Sequence, residues 1–346
     1  MTVKRVKNQL IQLVVGVSIS MSAVVANAAI QPPEMDNTAY VLMDYNTGEI
    51  LAQKNANEAL PPASLTKMMT SYIIEQRLAS GDLKEDEQVL MSPNAWCRGS
   101  SSQSCMYVPV NKTASVIDML RGIIIQSGND ASKAMAEHIA GSEASFAILM
   151  NEQAQKIGME NSNFVNATGM PDEGHLASAL DLSKLARAII KNSGDYYSIY
   201  AEKEFTYNGI TQGNRNALLI TDPTVDGLKT GHTDAAGYCL VASSNREGMR
   251  LISVIMGTKS QQARADQSRE LLNWGFGHFT TVTKAPAGQF VSKLPVWFGE
   301  ADEVELATGD NLQILTSKTQ KNKITTVVDI PESLEAPIKK GQEVGK

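Results

Sequence analysis

The first part of the chain alternates between extended and helical patterns of apolar residues. Tyr40–Asp44 and Glu49–Gln53 flank the turn sequence Asn46-Thr47-Gly48, which predicts a β-hairpin. From Ser64 to Ala79 the apolar residues recur at helical spacing, after a proline pair and before a glycine. This pattern predicts a helix with its start and its stop both marked.

The middle of the chain is predicted to be mostly helical and then to become extended. Residues 115–140, 145–157 and 179–192 carry helical spacing, with a break in the first at Ser127–Asp130. Beyond about residue 205, two turn sequences separate three predicted strands: Gly227–Thr233, Tyr238–Ser244 and Arg250–Thr258. Helical spacing returns over Gln261–Trp274. Strands at both ends with helices between them predict an α+β domain with a mainly antiparallel sheet.

The pattern changes once more near residue 280. Val291–Phe298 and Lys323–Ile330 have the character of short strands between polar turns, which predicts a small β-rich second domain. We therefore expect a first domain over 29–279 and a C-terminal domain over 280–346. The sequence ends at Lys346, in what we expect to be the middle of that second domain.

The first 28 residues read as a cleavable export signal. A basic start with Lys4, Arg5 and Lys7 precedes the apolar run Leu10–Val25, and Ala26-Asn27-Ala28 is an A-x-A cleavage sequence. The alternative is an uncleaved membrane anchor, but the short apolar run and the cleavage sequence favour a signal peptide. The mature protein is expected in the periplasm.

Composition and charge limit the classes of partner that the protein can bind. The chain is 42% hydrophobic and 20% charged, which is ordinary for a globular protein. Loss of the signal removes three positive charges and takes the net charge from -6 to -9. No Lys/Arg-rich run survives, which argues against nucleic acid as a partner. No second segment is apolar and long enough to span a bilayer.

Export also bears on the three cysteines. Cys97 and Cys105 are eight residues apart in a Gly/Ser-rich stretch, and we predict that they form a disulfide in an oxidising compartment. Two free thiols are the alternative. Cys239 lies in an apolar run and is interpreted as a buried core thiol.

Ser64-Leu65-Thr66-Lys67 is an S-x-x-K motif at the predicted helix start. Residues three apart share a helix face, so the lysine amine can reach the serine hydroxyl. A hydroxyl needs a base before it is a good nucleophile, and a desolvated lysine near other cations can serve as one. Taken alone, the motif also fits a helix-start serine beside a solvated lysine.

Two further motifs follow in order. Ser127-Gly128-Asn129 is an S-x-N motif, although Ser92 and Ser243 begin the same pattern by chance. Lys229-Thr230-Gly231 occurs once, in a predicted strand, where its glycine lets a substrate backbone approach closely. Each motif alone fits an ordinary turn or strand end.

The three motifs together point to serine acyl transfer. Their order and spacing match the active-site set of penicillin-binding proteins and class A β-lactamases. The sequence has no G-x-S-x-G elbow, no H-E-x-x-H and no Walker A loop. The four histidines have no ligand-like spacing, so no metal is predicted; they are His138, His175, His232 and His278.

From about residue 35 to its end the chain resembles the low-molecular-mass penicillin-binding proteins of the D-alanyl-D-alanine carboxypeptidase type. The most specific stretches are Pro62–Lys67, Gln126–Ala131, Val225–Thr233 and Ala236–Ser243. The resemblance implies a penicillin-binding, β-lactamase-like fold. It also implies hydrolysis of the terminal D-alanine from peptidoglycan stem pentapeptides, covalent acylation by β-lactams, and no metal or organic cofactor.

The resemblance also assigns roles. Ser64 would attack the penultimate D-alanine with Lys67 as its base, Ser127 would pass a proton to the departing D-alanine, and Asn129 would hold the substrate amide. Four further residues are expected at the substrate carboxylate or along its backbone: Lys229, Thr230, Gly231 and Arg264. The backbone N–H groups of Ser64 and His232 would form the oxyanion hole.

The sequence departs from the family in two places. Some relatives carry a histidine where this chain has Thr168, so no residue that assists deacylation is assigned there. Relatives often end in an amphipathic membrane-binding helix, and none is present here. Attachment to the inner membrane is therefore expected only through a segment beyond Lys346.

Three rival functions share parts of this pattern. A D,D-endopeptidase would use the whole site. A β-lactamase would need a glutamate-held water and, in class A, an aspartate where this chain has Gly128. No matching glutamate motif lies between residues 129 and 229, although Glu152, Glu160 and Glu173 are there. A non-catalytic peptidoglycan-binding protein would not need the intact motifs.

Overall fold

In the computed structural model, which describes residues 30–98 and 103–346, the chain is built around a five-stranded antiparallel sheet. The export signal predicted at residues 1–28 lies outside the described residues. The strands are β1 (Ala39–Asp44), β2 (Ile50–Lys54), β3 (Gln88–Leu90), β4 (Thr113–Ser115), β5 (Glu204–Tyr207), β6 (Ile210–Gly213), β7 (Val225–Thr233), β8 (Gly237–Arg246), β9 (Met249–Thr258), β10 (Phe279–Ala285), β11 (Phe290–Trp297), β12 (Glu303–Ala307), β13 (Leu312–Ser317) and β14 (Leu334–Glu335).

The helices lie mainly between β2 and β7 in the chain. They are α1 (Lys67–Ser80), α2 (Val116–Ile124), α3 (Asn129–Ala140), α4 (Glu143–Ile157), α5 (Ala179–Asn192), α6 (Leu218–Thr221) and α7 (Gln261–His278). Short 3-10 segments cover Ala63–Thr66, Gly194–Ala201 and Lys321–Lys323. Strands at both ends with helices between them confirm the predicted α+β class.

The central sheet has the order β2-β1-β9-β8-β7, with every neighbouring pair antiparallel. Successive side chains of a strand point to opposite faces. In β1, Val41 belongs to the core shared with α1 to α5, whereas Leu42 packs with α7 on the other face. Helices therefore cover both faces, and β7 is left as an edge strand.

The predicted helix at Ser64–Ala79 is present with one difference. Residues Ala63–Thr66 form a 3-10 turn, and the α-helix begins at Lys67. Ser64 thus lies in the tighter turn before α1, directly after Pro61 and Pro62. Gly81 ends α1 with a φ of 81°, as a helix stop does.

The C-terminal strands were predicted less well. The strand at Val291–Phe298 corresponds to β11, which pairs with β12 and β14. The strand expected at Lys323–Ile330 is wrong: residues 324–331 have no regular secondary structure. The apolar alternation there finds no partner strand, and Val327 remains 83% exposed. The paired strands β10 and β13 were not predicted.

Both cysteine predictions hold. Cys97 and Cys105 form a disulfide with their Cα atoms 6.3 Å apart, and Cys239 is a buried free thiol in β8. The two bonded cysteines precede Ser127 and Asn129 of the candidate active site in the chain. Among the described residues no helix is long and apolar enough to cross a membrane.

Candidate active site

Four segments bring the predicted site residues together at one end of β7. The 3-10 turn supplies Ser64, the start of α1 supplies Lys67, and the connection from α2 to the first residue of α3 supplies Ser127 and Asn129. The motif Lys229–Gly231 lies within β7 itself.

The 3-10 turn presents the Ser64 side chain to solvent. Of its four residues, Ala63, Leu65 and Thr66 are buried in the core, and Ser64 alone is half-buried. Ala63 has a φ of 48°, which belongs to the left-handed region that non-glycine residues rarely adopt. The tight turn therefore aims one hydroxyl outward from an otherwise buried segment.

Lys67 is completely buried and donates three hydrogen bonds. Its Nζ lies 3.2 Å from Ser64 Oγ, 2.7 Å from Asn129 Oδ1 and 2.5 Å from the Thr168 carbonyl oxygen. Burial, and then the charge of Arg215, lower the pKa of the Lys67 ammonium to about 7. Because no carboxylate pairs with it directly among the described residues, this lysine can lose its proton near neutral pH.

The turn between α2 and α3 has a strained backbone that nearby hydrogen bonds hold in place. Ser127 has a φ of 60°, and Asp130 accepts backbone N–H bonds from Met106 and Tyr107. A Cβ added to Gly128 would lie 3.1 Å from the Met106 nitrogen, so a larger residue does not fit there without a shift. The space for an aspartate at this position, as in class A β-lactamases, is missing.

β7 connects the other motifs. Lys229 is buried, and its Nζ donates to Ser127 Oγ at 3.0 Å. Burial and then the charges of Lys67, Arg215 and Arg264 hold the pKa of the Lys229 ammonium well below its usual range. A Cβ at Gly231 would meet the Pro62 carbonyl oxygen at 3.0 Å, so this glycine permits the close approach of β7 to the serine turn.

Thr230 and His232 alternate with Lys229 and Gly231 along β7. The Thr230 side chain is buried, whereas His232 is exposed and its ring stacks on Tyr238 with centroids 3.9 Å apart. The role predicted for His232 uses its backbone N–H, and β7 as an edge strand has one side free of a neighbouring strand.

Arg264 extends from α7 toward the back of β7. Its side chain is 4% exposed and donates to the carbonyl oxygens of Gly231, at 3.1 Å, and of Arg215, at 3.4 Å. These bonds place its charge beside the motif in β7 and also fix the local backbone.

Sequence reasoning missed Arg215. It lies in the loop between β6 and α6, donates to Ser104 Oγ, and adds a fourth cation to Lys67, Lys229 and Arg264. A single arginine between asparagines carries no motif, so only the folded arrangement reveals it. Gln103 was missed in the same way, and its side-chain oxygen accepts a bond from Asn129 Nδ2 at 3.1 Å.

The loop after α4 closes the opposite side of the site. Asn166 Oδ1 accepts bonds from the backbone N–H groups of Thr168 and Gly169, which holds the Thr168 carbonyl toward Lys67. His175 is buried and accepts from the Val165 N–H, so its other nitrogen donates to Thr66 Oγ1 at 2.8 Å. Burial lowers the pKa of His175 to about 4, and the ring is neutral.

No glutamate reaches the reacting groups in the described part of the chain. Glu152, Glu160 and Glu173 make no hydrogen bond to Ser64 or Lys67 among the described residues, and Lys67 donates to Ser64, Asn129 and Thr168 instead. One cluster of possible metal ligands occurs among the described residues, formed by Cys97, Cys105 and Asp130. The first two are joined in the disulfide, and this group therefore offers no metal site.

Two family models match most of the chain. Residues 26–260 match the model of the D-alanyl-D-alanine carboxypeptidase family, and residues 279–346 match the penicillin-binding protein 5 C-terminal domain. The chain is 42% identical to D-alanyl-D-alanine carboxypeptidase DacC of Escherichia coli K12 over 330 residues, which cover 94% of this chain and 82% of that protein.

Solved structures are similar over the same range. Penicillin-binding protein 5 from Haemophilus influenzae superposes with a TM-score of 0.83 at 40% identity, covering 91% of this chain and 92% of that one. Ampicillin-bound penicillin-binding protein D2 from Listeria monocytogenes gives a TM-score of 0.64 at 28% identity, covering 71% of this chain and all of that one.

Proposed function

The chain belongs to the D-alanyl-D-alanine carboxypeptidase family, as a low-molecular-mass penicillin-binding protein, and we propose that Ser64 is the nucleophile of its reaction. The enzyme hydrolyses the terminal D-alanine from peptidoglycan stem peptides. The observation that carries the assignment is the half-buried Ser64 hydroxyl bonded to a buried lysine whose pKa is lowered to about 7.

Acylation begins when Ser64 Oγ attacks the carbonyl carbon of the penultimate D-alanine. Lys67 takes the hydroxyl proton, because its burial and the nearby Arg215 leave a large neutral fraction at physiological pH. The carbonyl oxygen becomes an oxyanion, which the backbone N–H groups of Ser64 and His232 stabilise. The close packing of Gly231 on the serine turn supports this pairing of two distant N–H groups.

Collapse of the tetrahedral intermediate breaks the C–N bond and releases D-alanine. The departing nitrogen needs a proton, and Ser127 passes on its hydroxyl proton while it takes a replacement from the Lys229 ammonium at 3.0 Å. The proton that Lys67 took from Ser64 makes good the one that Lys229 gives up. Asn129 holds the substrate amide while its Oδ1 accepts from Lys67. Water then attacks the acyl-enzyme ester, and Ser64 recovers its proton when the shortened peptide leaves.

The terminal carboxylate is recognised by the cations around β7. Lys229 and Thr230 lie in the strand, Arg264 lies behind it, and Arg215 closes the same cluster. Among the described residues no carboxylate accepts a hydrogen bond from these cations, which favours a substrate that brings its own negative charge. An endopeptidase substrate has an internal amide at that point, so this cluster favours the carboxypeptidase reaction.

A weak β-lactamase or D,D-endopeptidase activity at the same site is the second candidate. Penicillin also carries a carboxylate and would be acylated by the same steps. Fast hydrolysis of that acyl-enzyme needs an activated water, and the absence of a glutamate bonded to Ser64 or Lys67 among the described residues argues against it.

The rest of the proposal concerns location and organisation. We place the mature protein in the periplasm after loss of residues 1–28, since the cleavage sequence and the disulfide both suit an exported protein. The catalytic domain is proposed to span 29–279 and the β-rich domain 280–346. Attachment to the inner-membrane surface is part of the same proposal.

The test of the nucleophile uses labelled penicillin. Ser64→Ala is expected to abolish covalent labelling and release of D-alanine while the circular dichroism spectrum stays native. Ser92→Ala, at the start of a chance S-x-N match, is the control and should label like the native enzyme. Stoichiometric labelling of the Ser64 variant would remove the assignment.

The carboxypeptidase reaction is tested separately by product analysis. A stem pentapeptide should yield free D-alanine and a tetrapeptide, whereas a cross-linked dimer should remain uncut. Cleavage of the dimer at a similar rate would favour the endopeptidase instead.

A further inference from the structure

The loop after α4 supplies a hydrogen-bond acceptor to Lys67 and is itself bonded to α1. Lys67 Nζ donates to the Thr168 carbonyl oxygen at 2.5 Å. The preceding carbonyl oxygen, of Ala167, accepts from Thr70 Oγ1 at 2.8 Å. Lys67 and Thr70 are three residues apart in α1 and share one face of that helix. Two consecutive carbonyl groups of the loop are therefore bonded to the helix that carries the proposed base.

Glu143 bonds to the same segment from a different helix. Its Oε1 accepts from the Ala167 N–H at 3.0 Å. Glu143 is the first residue of α4, where Ser142 already caps the helix by accepting from the Ser145 N–H. The Glu143 side chain is half-buried, and it forms no ion pair within the part of the chain that the structure describes. Its carboxylate is thus bonded to the loop of the site rather than to a cation.

This bond fixes the residue next to the acceptor of Lys67. The N–H groups of Thr168 and Gly169 are bonded to Asn166, whereas the N–H of Ala167 depends on Glu143. Ala167 and Thr168 are both buried, so water does not readily replace a lost partner. Without the carboxylate, an unsatisfied N–H would lie beside the Lys67 contact, and the loop would have to shift to satisfy it.

Glu143 also changes the electrostatic surroundings of Lys67. The charged or titratable groups around this lysine come from separate elements: Asp130 of α3, Glu143 of α4, His175 of the loop after α4, Arg215 of the loop between β6 and α6, and Lys229 of β7. Burial and then Arg215 lower the pKa of the Lys67 ammonium to about 7, whereas Asp130 and Glu143 act in the opposite direction. Asp130 also accepts from several backbone N–H groups, so Glu143 is the carboxylate whose charge can be tested separately.

We propose that Glu143 is a positioning residue for Lys67: it fixes the loop carbonyl that accepts from the lysine, and its negative charge favours the ammonium form. The inference rests on the proposed function, because it takes Lys67 as the base that activates Ser64. Glu143 acts through the loop and through space, since no hydrogen bond joins it to Lys67 or Ser64 among the described residues.

The experiment separates the hydrogen bond from the charge with two variants. E143Q keeps an oxygen for the Ala167 N–H and removes the charge, so the rate of penicillin acylation should keep its plateau at high pH while its inflection moves to lower pH. E143A removes both, so the plateau should also fall, about three- to tenfold, as for the loss of one hydrogen bond. Stopped-flow acylation of the full chain across pH 5 to 10 measures both effects.

Glu152 on the same helix provides the matched control. It is exposed, and its carboxylate makes no hydrogen bond or ion pair in the described part of the chain. E152Q and E152A change the net charge equally and should keep the native plateau and inflection. Thermal unfolding of the four variants establishes that the proteins compared are folded, because a helix-start glutamate can also stabilise α4 itself.

A native plateau in folded E143A would overturn the proposal, as would an inflection that stays in place in E143Q. A plateau that falls as far in E143Q as in E143A would also overturn it, because the glutamine retains the acceptor. If E143A does not fold, the inflection of E143Q decides. Failure of the proposed function would be distinct, since the native chain itself would then not be labelled at Ser64.

Discussion

Lys67 shows how the fold changes the chemistry of one residue. In water its ammonium would hold a proton far above neutral pH, but here it is fully buried beside Arg215 and bonded to neutral oxygens. Desolvation and a like charge both disfavour the protonated form. The same side chain could not act as a base at neutral pH if it lay on the surface.

The first prediction at this scale concerns pH. The rate of acylation by penicillin should rise with pH through about 7, because Lys67 accepts the Ser64 proton only after losing its own. Arg215→Gln removes the cation that helps to lower the pKa of Lys67 and should move the inflection to higher pH. Stopped-flow acylation across pH 5 to 10 measures both.

Arg77→Gln is the control for that profile, since Arg77 lies in α1 away from the site. An inflection that stays in place in the Arg215 variant, or moves equally in both variants, would contradict the electrostatic explanation.

A second prediction concerns Arg264. Its bonds to the Gly231 and Arg215 carbonyls bring its charge to the proposed carboxylate site. Arg264→Ala should lower kcat/KM for a D-Ala-D-Ala peptide about ten- to a hundredfold, the usual effect of losing a charge-assisted hydrogen bond. A peptide with an amidated C-terminus should be a poor substrate of the native enzyme and lose little further.

Arg269→Ala on the same helix is the matched control and should leave both rates unchanged. If Arg264→Ala slowed both peptides to a similar extent, the role would be structural, and the carboxylate assignment would be dropped.

At the scale of elements, the edge strand β7 organises the site by packing directly against the serine turn. Its motif was recognisable in the sequence because Lys229, Thr230 and Gly231 are adjacent in the chain. The steric reason for the glycine was not, because the neighbour it must admit, Pro62, is far away in sequence.

Gly231→Ala tests this packing. The new Cβ would lie 3.0 Å from the Pro62 carbonyl oxygen and 3.2 Å from Leu65 Cγ, so β7 and the turn must separate. We expect a loss of about 1–3 kcal/mol in the free energy of unfolding, as for overpacking in general, and a larger proportional loss of penicillin acylation. Denaturant unfolding and acylation kinetics measure the two effects.

Gly213→Ala provides the comparison, since its new Cβ would meet only the Lys203 carbonyl oxygen, at 3.8 Å. If Gly231→Ala behaved like this control, close packing of β7 on the turn would not be needed.

A helix or strand is predictable from the sequence when the pattern that specifies it lies within its own residues. Helices such as α1 and α5 were predicted because their apolar spacing lies within the segment itself. The 3-10 turn at Ser64 was not distinguished from the helix, since both have similar local sequences. In the C-terminal part, the strand expected at Lys323–Ile330 failed because pairing depends on a partner that local alternation does not reveal.

The residues of the site divide in the same way, into those that belong to a short sequence pattern and those that do not. The serine, lysine and asparagine of the motifs were predicted from short patterns. Arg215 and Gln103 enter from loops with no recognisable pattern, and only the folded chain brings them to the site, where Gln103 contacts Asn129.

At the scale of the whole molecule, the assigned catalytic residues all lie before the β-rich C-terminal part. That part adjoins the rest where Trp274 and Phe279 stack edge to face and Leu315 packs on the same core. The contact is apolar and lies at the end of α7, which also carries Arg264 nearer its start.

A fragment of residues 29–279 should therefore acylate with penicillin at a rate within about twofold of the whole chain, while unfolding at a lower temperature because apolar surface is exposed. Labelling kinetics and thermal unfolding of the two proteins measure this. Loss of labelling by a fragment that remains folded would show that the C-terminal part shapes the site.

The disulfide has a consequence for when the enzyme becomes active. Just before Cys105, Gln103 and Ser104 contact Asn129 and Arg215, so one covalent bond restrains the segment that completes the site. In a newly made chain that has not yet been oxidised, we expect the core to be in place while Gln103 and Ser104 lack the covalent restraint at Cys105. We expect oxidation, rather than folding alone, to be the maturation step after which the protein becomes fully sensitive to penicillin.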